Sequence, residues 1–311
     1  MKIGIVGPGA IGCLFSARLL EGGKEVVLID YKQDRAHLLN ERGIILERGG
    51  VESVHKVSCS AEPSSAAGLD GIIFTVKAYQ TRNAAERLRE TLDAGAWVLT
   101  LQNGMGNIET LLEIFGAGRV LAGTTSEGAT MKGPGSVRHA GNGETSLGEL
   151  TGETSERVES IAGIFNGAGI TARVSSNVTS LLWKKLLVNV GINPVTALLR
   201  IKNGELLERE SALEVSSAAV LEAAAVAAAE GIQLSDVKPV ELVKDVARRT
   251  AENISSMHQD VAAGRTTEIE FICGHVVRTA AKHGIPTPFN KALNDLVSAL
   301  ASDGNEGLLR E

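Results

Sequence analysis

Apolar positions fall into two rhythms along this chain. In the first half, short and nearly unbroken apolar runs stand at 2–6 (KIGIV), 25–29 (EVVLI), 71–76 (GIIFTV) and 97–101 (WVLTL). Such runs are what strands covered on both faces look like. Stretches with helical periodicity, 10–22, 33–42, 80–92 and 107–115, lie between them. This alternation predicts an α/β fold built on a doubly wound parallel sheet. From 119 to 148 the segments are short, separated by glycine and rich in Thr, Ser and Val, the pattern of edge strands and hairpins. A helix over about 154–168 and a strand at 170–174 follow. Strands cease near VSSN (174–177), and the remainder reads as five long helical windows: 178–199, 205–230, 236–261, 267–283 and 288–301. The expected division is therefore a sheet domain over 1–174 and an all-helical domain over 175–311.

One helical window breaks its own pattern. In WKKLLVNVGINP (183–194), Lys185, Asn189 and Asn193 recur every four residues along an otherwise apolar helix. At about 100° per residue they form one stripe. A stripe of an ammonium and two amides either faces a ligand or is a snorkelling lysine beside two satisfied core amides. Pro194 removes a donor near its end and is expected to bend the helix.

Composition narrows the classes. A chain of 311 residues predicts two domains. A formal charge of −6 and aromatic residues at only 3% argue against a nucleic-acid partner. No basic-then-apolar leader is seen, and no apolar run reaches the roughly 18–20 residues that span a bilayer, so no membrane partner is expected. Cys13, Cys59 and Cys273 are dispersed, with neither a CxxC pair nor a disulfide framework. A cytoplasmic, reducing location is expected. His139, His258, His275 and His283 show no ligand spacing, so no metal is inferred.

The clearest local motif is GPGAIG (7–12), directly after the first strand and opening a helix. Gly7 permits the tight turn, Gly9 lets backbone approach a pyrophosphate, and Gly12 lets helix and strand pack closely. Ala10 and Ile11 complete a helix N-terminus whose N–H groups face the anion. This predicts dinucleotide binding by a Rossmann-type domain. Asp30 ends the second strand 18 residues after Gly12, where a carboxylate takes the ribose 2′-hydroxyl of NAD. Lys32 and Arg35 follow closely and are suited to a 2′-phosphate, and Asp30 could equally cap the next helix. At the carboxyl ends of later strands stand Lys77 in TVKAYQ and Asn103 in LQNGMG. Each also has a plain reading, a surface lysine and an Asn-Gly turn. In the helical half, AENISSMHQD (251–260) sets Asn253 and Ser256 on one helical face. Thr267 and Glu270 match a capping box, which leaves Glu268 either functional or a first-turn acid.

Taken together, the chain resembles the ketopantoate reductases (2-dehydropantoate 2-reductases) nearly end to end. The resemblance rests on GPGAIG, VKAYQ (76–80), QNGMGN (102–107), LWKKLLVNVGINPVTAL (182–198), NGEL (203–206), AENISSM (251–257) and TEIEFICG (267–274). It implies an NAD(P)H-dependent oxidoreductase reducing ketopantoate to pantoate, for pantothenate and coenzyme A synthesis, with NADPH as the general coenzyme. Matched motif to motif, Lys185 falls on the catalytic lysine and Glu268 on the functional glutamate. Lys77 and Asn103 fall near nicotinamide and substrate, and Asn189, Asn193, Asn203, Asn253 and Ser256 fall on substrate-pocket positions. Two positions depart from the family. Asp30-Tyr31-Lys32 stands where a 2′-phosphate arginine is usual, which leaves NADH open, and Cys273 stands where Asn is frequent. A related branched 2-oxo acid as substrate, or a nucleotide-binding sensor without catalysis, are the alternative readings. A homodimer is a possible assembly, and a hinge is expected near 174–178.

Overall fold

The computed structural model describes residues 1–303, and they divide into two compact units. The first comprises Met1–Gln102 and Asn107–Val178; the second begins at Thr179 and also takes in Asn103–Gly106.

The first unit runs β1 (Lys2–Val6), α1 (Ala10–Glu21), β2 (Glu25–Ile29), α2 (Gln33–Arg42), β3 (Ile44–Arg48), β4 (Val51–His55), β5 (Ser58–Ser60), β6 (Gly71–Phe74), α3 (Thr81–Leu88), β7 (Trp97–Thr100), α4 (Asn107–Phe115), β8 (Val120–Thr125), β9 (Gly128–Gly133), β10 (Ser136–Gly141), β11 (Thr145–Glu149), α5 (Glu156–Gly167) and β12 (Ala172–Val174). Its main sheet has the order β12-β11-β8-β7-β6-β1-β2-β5. Every pairing is parallel except that of β8 with β11. The four apolar runs seen in the sequence are its centre, and β6 and β7 are buried throughout. Val6 pairs with Ile29 on one side and Phe74 on the other, and Phe74 with Thr100, so these strands end in step along one edge. The chain leaves β1 toward β2, then returns to β6 on β1's opposite flank. That reversal is a topological switch point, where open α/β sheets bind ligands. Phe15 of α1 meets Phe165 of α5 edge-on, with centroids 5.5 Å apart, in the core on one face. Phe74 and Phe115 meet at 6.1 Å in the other.

Two features of this half differ from the sequence expectation. Residues 44–60 hold three strands where none was expected. The segments read as edge hairpins also separate: β8 and β11 join the main sheet, while β9 and β10 form a second sheet, β4-β3-β10-β9. In β4 two polar residues separate the exposed Val51 and Val54, β3 turns polar after Leu46, and β5 is only three residues long, so no apolar run of strand length announces them.

The second unit contains α6 (Val178–Leu199), α7 (Glu210–Ala229), α8 (Pro239–Arg249), α9 (Ser256–Ala262), α10 (Cys273–Lys282) and α11 (Pro288–Asp303). Trp183, Leu186, Leu187 and Val190 of α6 are buried with Val220, Ala223 and Val226 of α7. A Cβ at Gly191 would stand 2.6 Å from Val243 and 2.8 Å from Val220, so glycine there lets α6 approach α7 and α8 closely. Pro194 lies inside α6, which continues through it.

Three expected helical windows are interrupted. Residues 236–261 form α8 and α9 with a turn between them, 267–283 open as a 3-10 turn (Ile269–Phe271) before α10, and 205–230 likewise begin with the 3-10 turn Gly204–Glu208. The expected capping box is not made. Glu270 bonds Arg278 and Asn294 instead, while Thr267 only accepts from Ile269 N at 3.5 Å. Among the described residues α7 alone matches a bilayer span by length and composition, yet Glu214 and Glu222 interrupt its apolar run and Ala219, Val220, Ala223 and Val226 pack in the helical core. The Glu222 carboxylate accepts from the backbone N–H groups of Phe289 and Asn290, where α11 begins.

Candidate active site

In the first unit the glycine loop does what its spacing requires. Gly7 has φ +102, a region L side chains avoid, and a Cβ there would lie 2.6 Å from Val76 Cγ1. A Cβ at Gly12 would sit 2.0 Å from the Gly7 carbonyl oxygen, so only glycine lets α1 start this close to β1. Above Gly9 there is open space, and Gly9 N-caps α1 with no side chain and no acid in the first turn. The positive end of α1, at Ala10, Ile11 and Gly12, is therefore left to an outside anion. These residues fit the pyrophosphate of a dinucleotide.

Asp30 is not the open acceptor that its position suggests. Its carboxylate receives the N–H groups of Tyr31 (2.7 Å) and Lys32 (3.2 Å) and a two-point contact from Arg35 (2.5 and 2.6 Å). The Asp30 side chain is 0% exposed, against 29% for Arg35. Hydrogen bonding to Asp30 raises the Arg35 pKa above its ordinary range. Tyr31 is half exposed, with the Lys32 ammonium and the Arg35 guanidinium each 5.6 Å from its ring centroid. Lys32 itself N-caps α2 through its backbone. Arg35 is thus an ion-pair partner, where the sequence had offered it as a free phosphate ligand. Lys77 is half-buried and precedes the 3-10 turn Ala78–Gln80.

In the second unit α6 presents the polar stripe. Its neighbouring lysines, both partly buried, part ways: Lys184 pairs with Asp236 at 2.5 Å, whereas Lys185 lies near the charge of Glu268. Burial lowers the Lys185 pKa from 10.5 to about 8, and the charge of Glu268 opposes that fall. Glu268, only 6% exposed, sits at the head of the 3-10 turn Ile269–Phe271. It is held within electrostatic reach of Lys185 and is not an α-helical first-turn acid. Asn193 is buried. On the same stripe, the Asn189 side-chain Nδ2 is buried with no hydrogen-bond partner among the described residues, as is Oδ1 of Asn203. Buried amide atoms are nearly always paired, so an orphan donor and an orphan acceptor call for an outside partner.

Asn203 and Asn253 come together. Asn203 N donates to Asn253 O at 3.0 Å, and Asn203 Nδ2 to Thr250 Oγ1 at 3.0 Å. Asn253 and Ser256 do not share a helical face as expected: Asn253 lies in the turn before α9 and Ser256 opens the helix, both exposed. The buried serine is Ser255, which caps α9 through His258 N and lies 2.8 Å from Thr196 Oγ1 of α6. The sequence passed over Ser255 because nothing local separates it from Ser256. Asn103–Gly106 packs within this unit: Met105 N donates to Phe271 O at 2.8 Å, and a Cβ at Gly104 would lie 2.7 Å from Phe271 Cβ. Cys273 is fully buried in the helical core, and burial pushes its thiol well up, so it lines no pocket. His275, edge-on to Trp183, is pushed down to about 4 by burial and is a packing residue. No cluster of three or more metal-ligating side chains occurs among the described residues.

Comparison with known proteins adds independent findings. The family described as ketopantoate reductase PanE/ApbA matches residues 3–152, and its C-terminal part matches 177–301. The chain is 41% identical to a 2-dehydropantoate 2-reductase of Halobacterium salinarum, over 98% of this chain and 100% of that one. A solved PanE/ApbA family ketopantoate reductase from Ralstonia eutropha superposes with a TM-score of 0.90 at 33% identity, covering 98% of this chain and 100% of the other. A D-mandelate dehydrogenase solved with NADH and anilino(oxo)acetate gives 0.93 at 28% identity, again over 98% and 100%.

Proposed function

Because the chain belongs to the ketopantoate reductase PanE/ApbA family, we propose that it reduces ketopantoate to pantoate with a reduced nicotinamide coenzyme. The observation that carries this reading is the α6 stripe: a partly buried lysine under the influence of Glu268, one turn from an amide whose N–H groups lack a partner among the described residues. A reduced nicotinamide, when bound, supplies a hydride to the substrate's keto carbon.

The chain's own residues then have defined tasks. Negative charge develops on the keto oxygen, and the Lys185 ammonium stabilises it more in the transition state than in the ground state. Lys185 Nζ next gives that oxygen a proton. A pKa near 8 keeps the lysine protonated at neutral pH yet makes it a far better acid than an ordinary lysine. Asn189 Nδ2 supplies a neutral donor on the same face, and Asn193 extends the stripe one turn further. Neither adds a second buried charge. Glu268 orients the substrate hydroxyl by accepting its hydrogen bond, and the orphan Oδ1 of Asn203 is a second acceptor. Asn253 and Ser256 hold the carboxylate, with Lys77 and Asn103 beside the nicotinamide. For the coenzyme, Arg35 neutralises Asp30 and so removes its repulsion of a 2′-phosphate, and Lys32 adds a cation beside it; together these favour NADPH, with NADH as the alternative.

The test is coenzyme oxidation on ketopantoate with NADPH and NADH in parallel. Turnover with either supports the reading; folded protein that binds nucleotide and turns over with neither sinks it. The D-mandelate dehydrogenase likeness favours one second reading, in which another 2-oxo acid is preferred. A panel of ketopantoate, 2-oxoisovalerate and benzoylformate separates the two by kcat/KM.

A further inference from the structure

The reaction as described makes no use of a buried amide whose donors and acceptor are all bonded at the carboxyl edge of the sheet. Gln102 follows β7 and is 6% exposed. One proton of its Nε2 goes to the Val76 carbonyl (2.8 Å) and the other to Thr81 Oγ1 (2.7 Å). Its Oε1 accepts from Thr100 Oγ1 (3.0 Å), which in turn accepts the Gln102 backbone N–H (3.3 Å). Thr81, having accepted, donates onward to Asn107 Oδ1 at 2.8 Å. The proton directions are mutually consistent, and a flipped amide would set two carbonyl oxygens against each other. One amide thus closes both turns that leave β6 and β7, together with the starts of α3 and α4.

The ends of this clamp are informative. Val76 immediately precedes Lys77 in the chain, and Gln102 immediately precedes Asn103. Val76 is also the residue against which Gly7 is packed. At a switch point the adenosine side lies toward β2 and the pyrophosphate at the α1 N-terminus, so the nicotinamide side falls toward β6 and β7. We propose that Gln102 is a positioning residue for hydride transfer: it fixes the backbone from which Lys77 and Asn103 leave, and so the nicotinamide end of the coenzyme groove, while the adenosine end is independent of it. This rests on the reductase reading above.

A displacement of about 1 Å in a near-attack geometry can cost on the order of a hundredfold in rate. Gln102→Met preserves length while removing the donors and the acceptor. Four quantities are measured on the full chain: kcat, KM for ketopantoate, affinity for the intact reduced coenzyme, and affinity for ADP-ribose and its 2′-phosphate. The expected result is kcat lowered ten- to a hundredfold, with intact coenzyme bound several-fold more weakly and the ADP-ribose compounds held within twofold of wild type. Unchanged kcat overturns the proposal. So does equal weakening of coenzyme and ADP-ribose, which marks a general loosening of the domain. Should Gln102→Met not fold, Thr81→Val keeps the Val76 link and removes one arm, and the same selective pattern is expected at smaller size; its absence likewise overturns the proposal. If wild-type protein does not turn over ketopantoate, the reductase reading fails first, and the contrast between coenzyme and ADP-ribose still reports on Gln102.

Discussion

The two units make their candidate binding surfaces from different material. In the first, the key contacts are backbone: a glycine at φ +102, a second glycine with no room for a Cβ, and an uncapped helix N-terminus. In the second they are side chains on separate elements, Lys185 and Asn189 on α6, Glu268 on a 3-10 turn and Asn203 just beyond α6. A backbone site is tolerant of which side chains surround it but intolerant of any added atom. A side-chain site has a stable scaffold, and one functional group can be exchanged without moving the rest. Substitutions at the loop glycines of the first unit should therefore damage binding and fold together, whereas those at the second unit's side chains should separate chemistry from stability.

The largest effect expected is at Lys185. Lys185→Met should lower kcat by roughly 10²–10⁴-fold, the range for losing a general acid, with coenzyme affinity unchanged by titration calorimetry. The same variant should be no less stable. In the native protein Lys185 titrates near 8 and in the unfolded chain near 10.5. Between those values the unfolded state binds more protons, so stability rises with pH through that window. The burial penalty, on the order of 3 kcal/mol, is fully present below pH 8. Melting curves should show Lys185→Met gaining most over wild type near pH 7 and losing that advantage by pH 10.5. Wild-type kcat should fall as pH rises through about 8, as the acid form of Lys185 is lost.

Gly12→Ala should behave in the opposite way. The new methyl would meet the Gly7 carbonyl oxygen 2.0 Å away, so the loop or α1 must shift. Coenzyme affinity should fall about a hundredfold, with melting temperature falling in parallel. A variant that loses coenzyme while keeping its full melting temperature would break the contrast between the units.

A smaller effect is expected at Arg35. Arg35→Ala uncovers the Asp30 carboxylate and removes a cation in one step. The ratio of kcat/KM for NADPH to that for NADH should drop about tenfold, and Asp30→Asn in the Arg35→Ala background should restore part of it. An unmoved ratio would place coenzyme choice elsewhere.

Legibility in the sequence followed the same division. The glycine loop was readable because its constraints lie within six consecutive residues, and the four central strands because burial on both faces leaves an unbroken apolar run. The Lys185 stripe was readable as a pattern, since helical spacing is local, but its meaning came from the family resemblance. Strands β3 and β4 escaped because half-exposed strands of the small sheet carry no such run, and β5 because a three-residue edge strand of the main sheet is too short to show one. That Cys273 departs from the family was readable, but its place in the helical core was not, because it depends on how α10 packs.

By itself, then, the sequence determined where strands alternate with helices, which glycines must be glycines, and which polar residues share a helix face. All of these are set by forces acting over one or two turns of chain. Tertiary structure alone decided the pairing of Asp30 with Arg35, the depth at which Lys185 meets the charge of Glu268, the orphan amides of Asn189 and Asn203, and the clamp formed by Gln102. Each of these depends on desolvation or a hydrogen bond between groups distant along the chain or turned toward each other only by folding. Their strength is set by surroundings that spacing along the sequence does not encode.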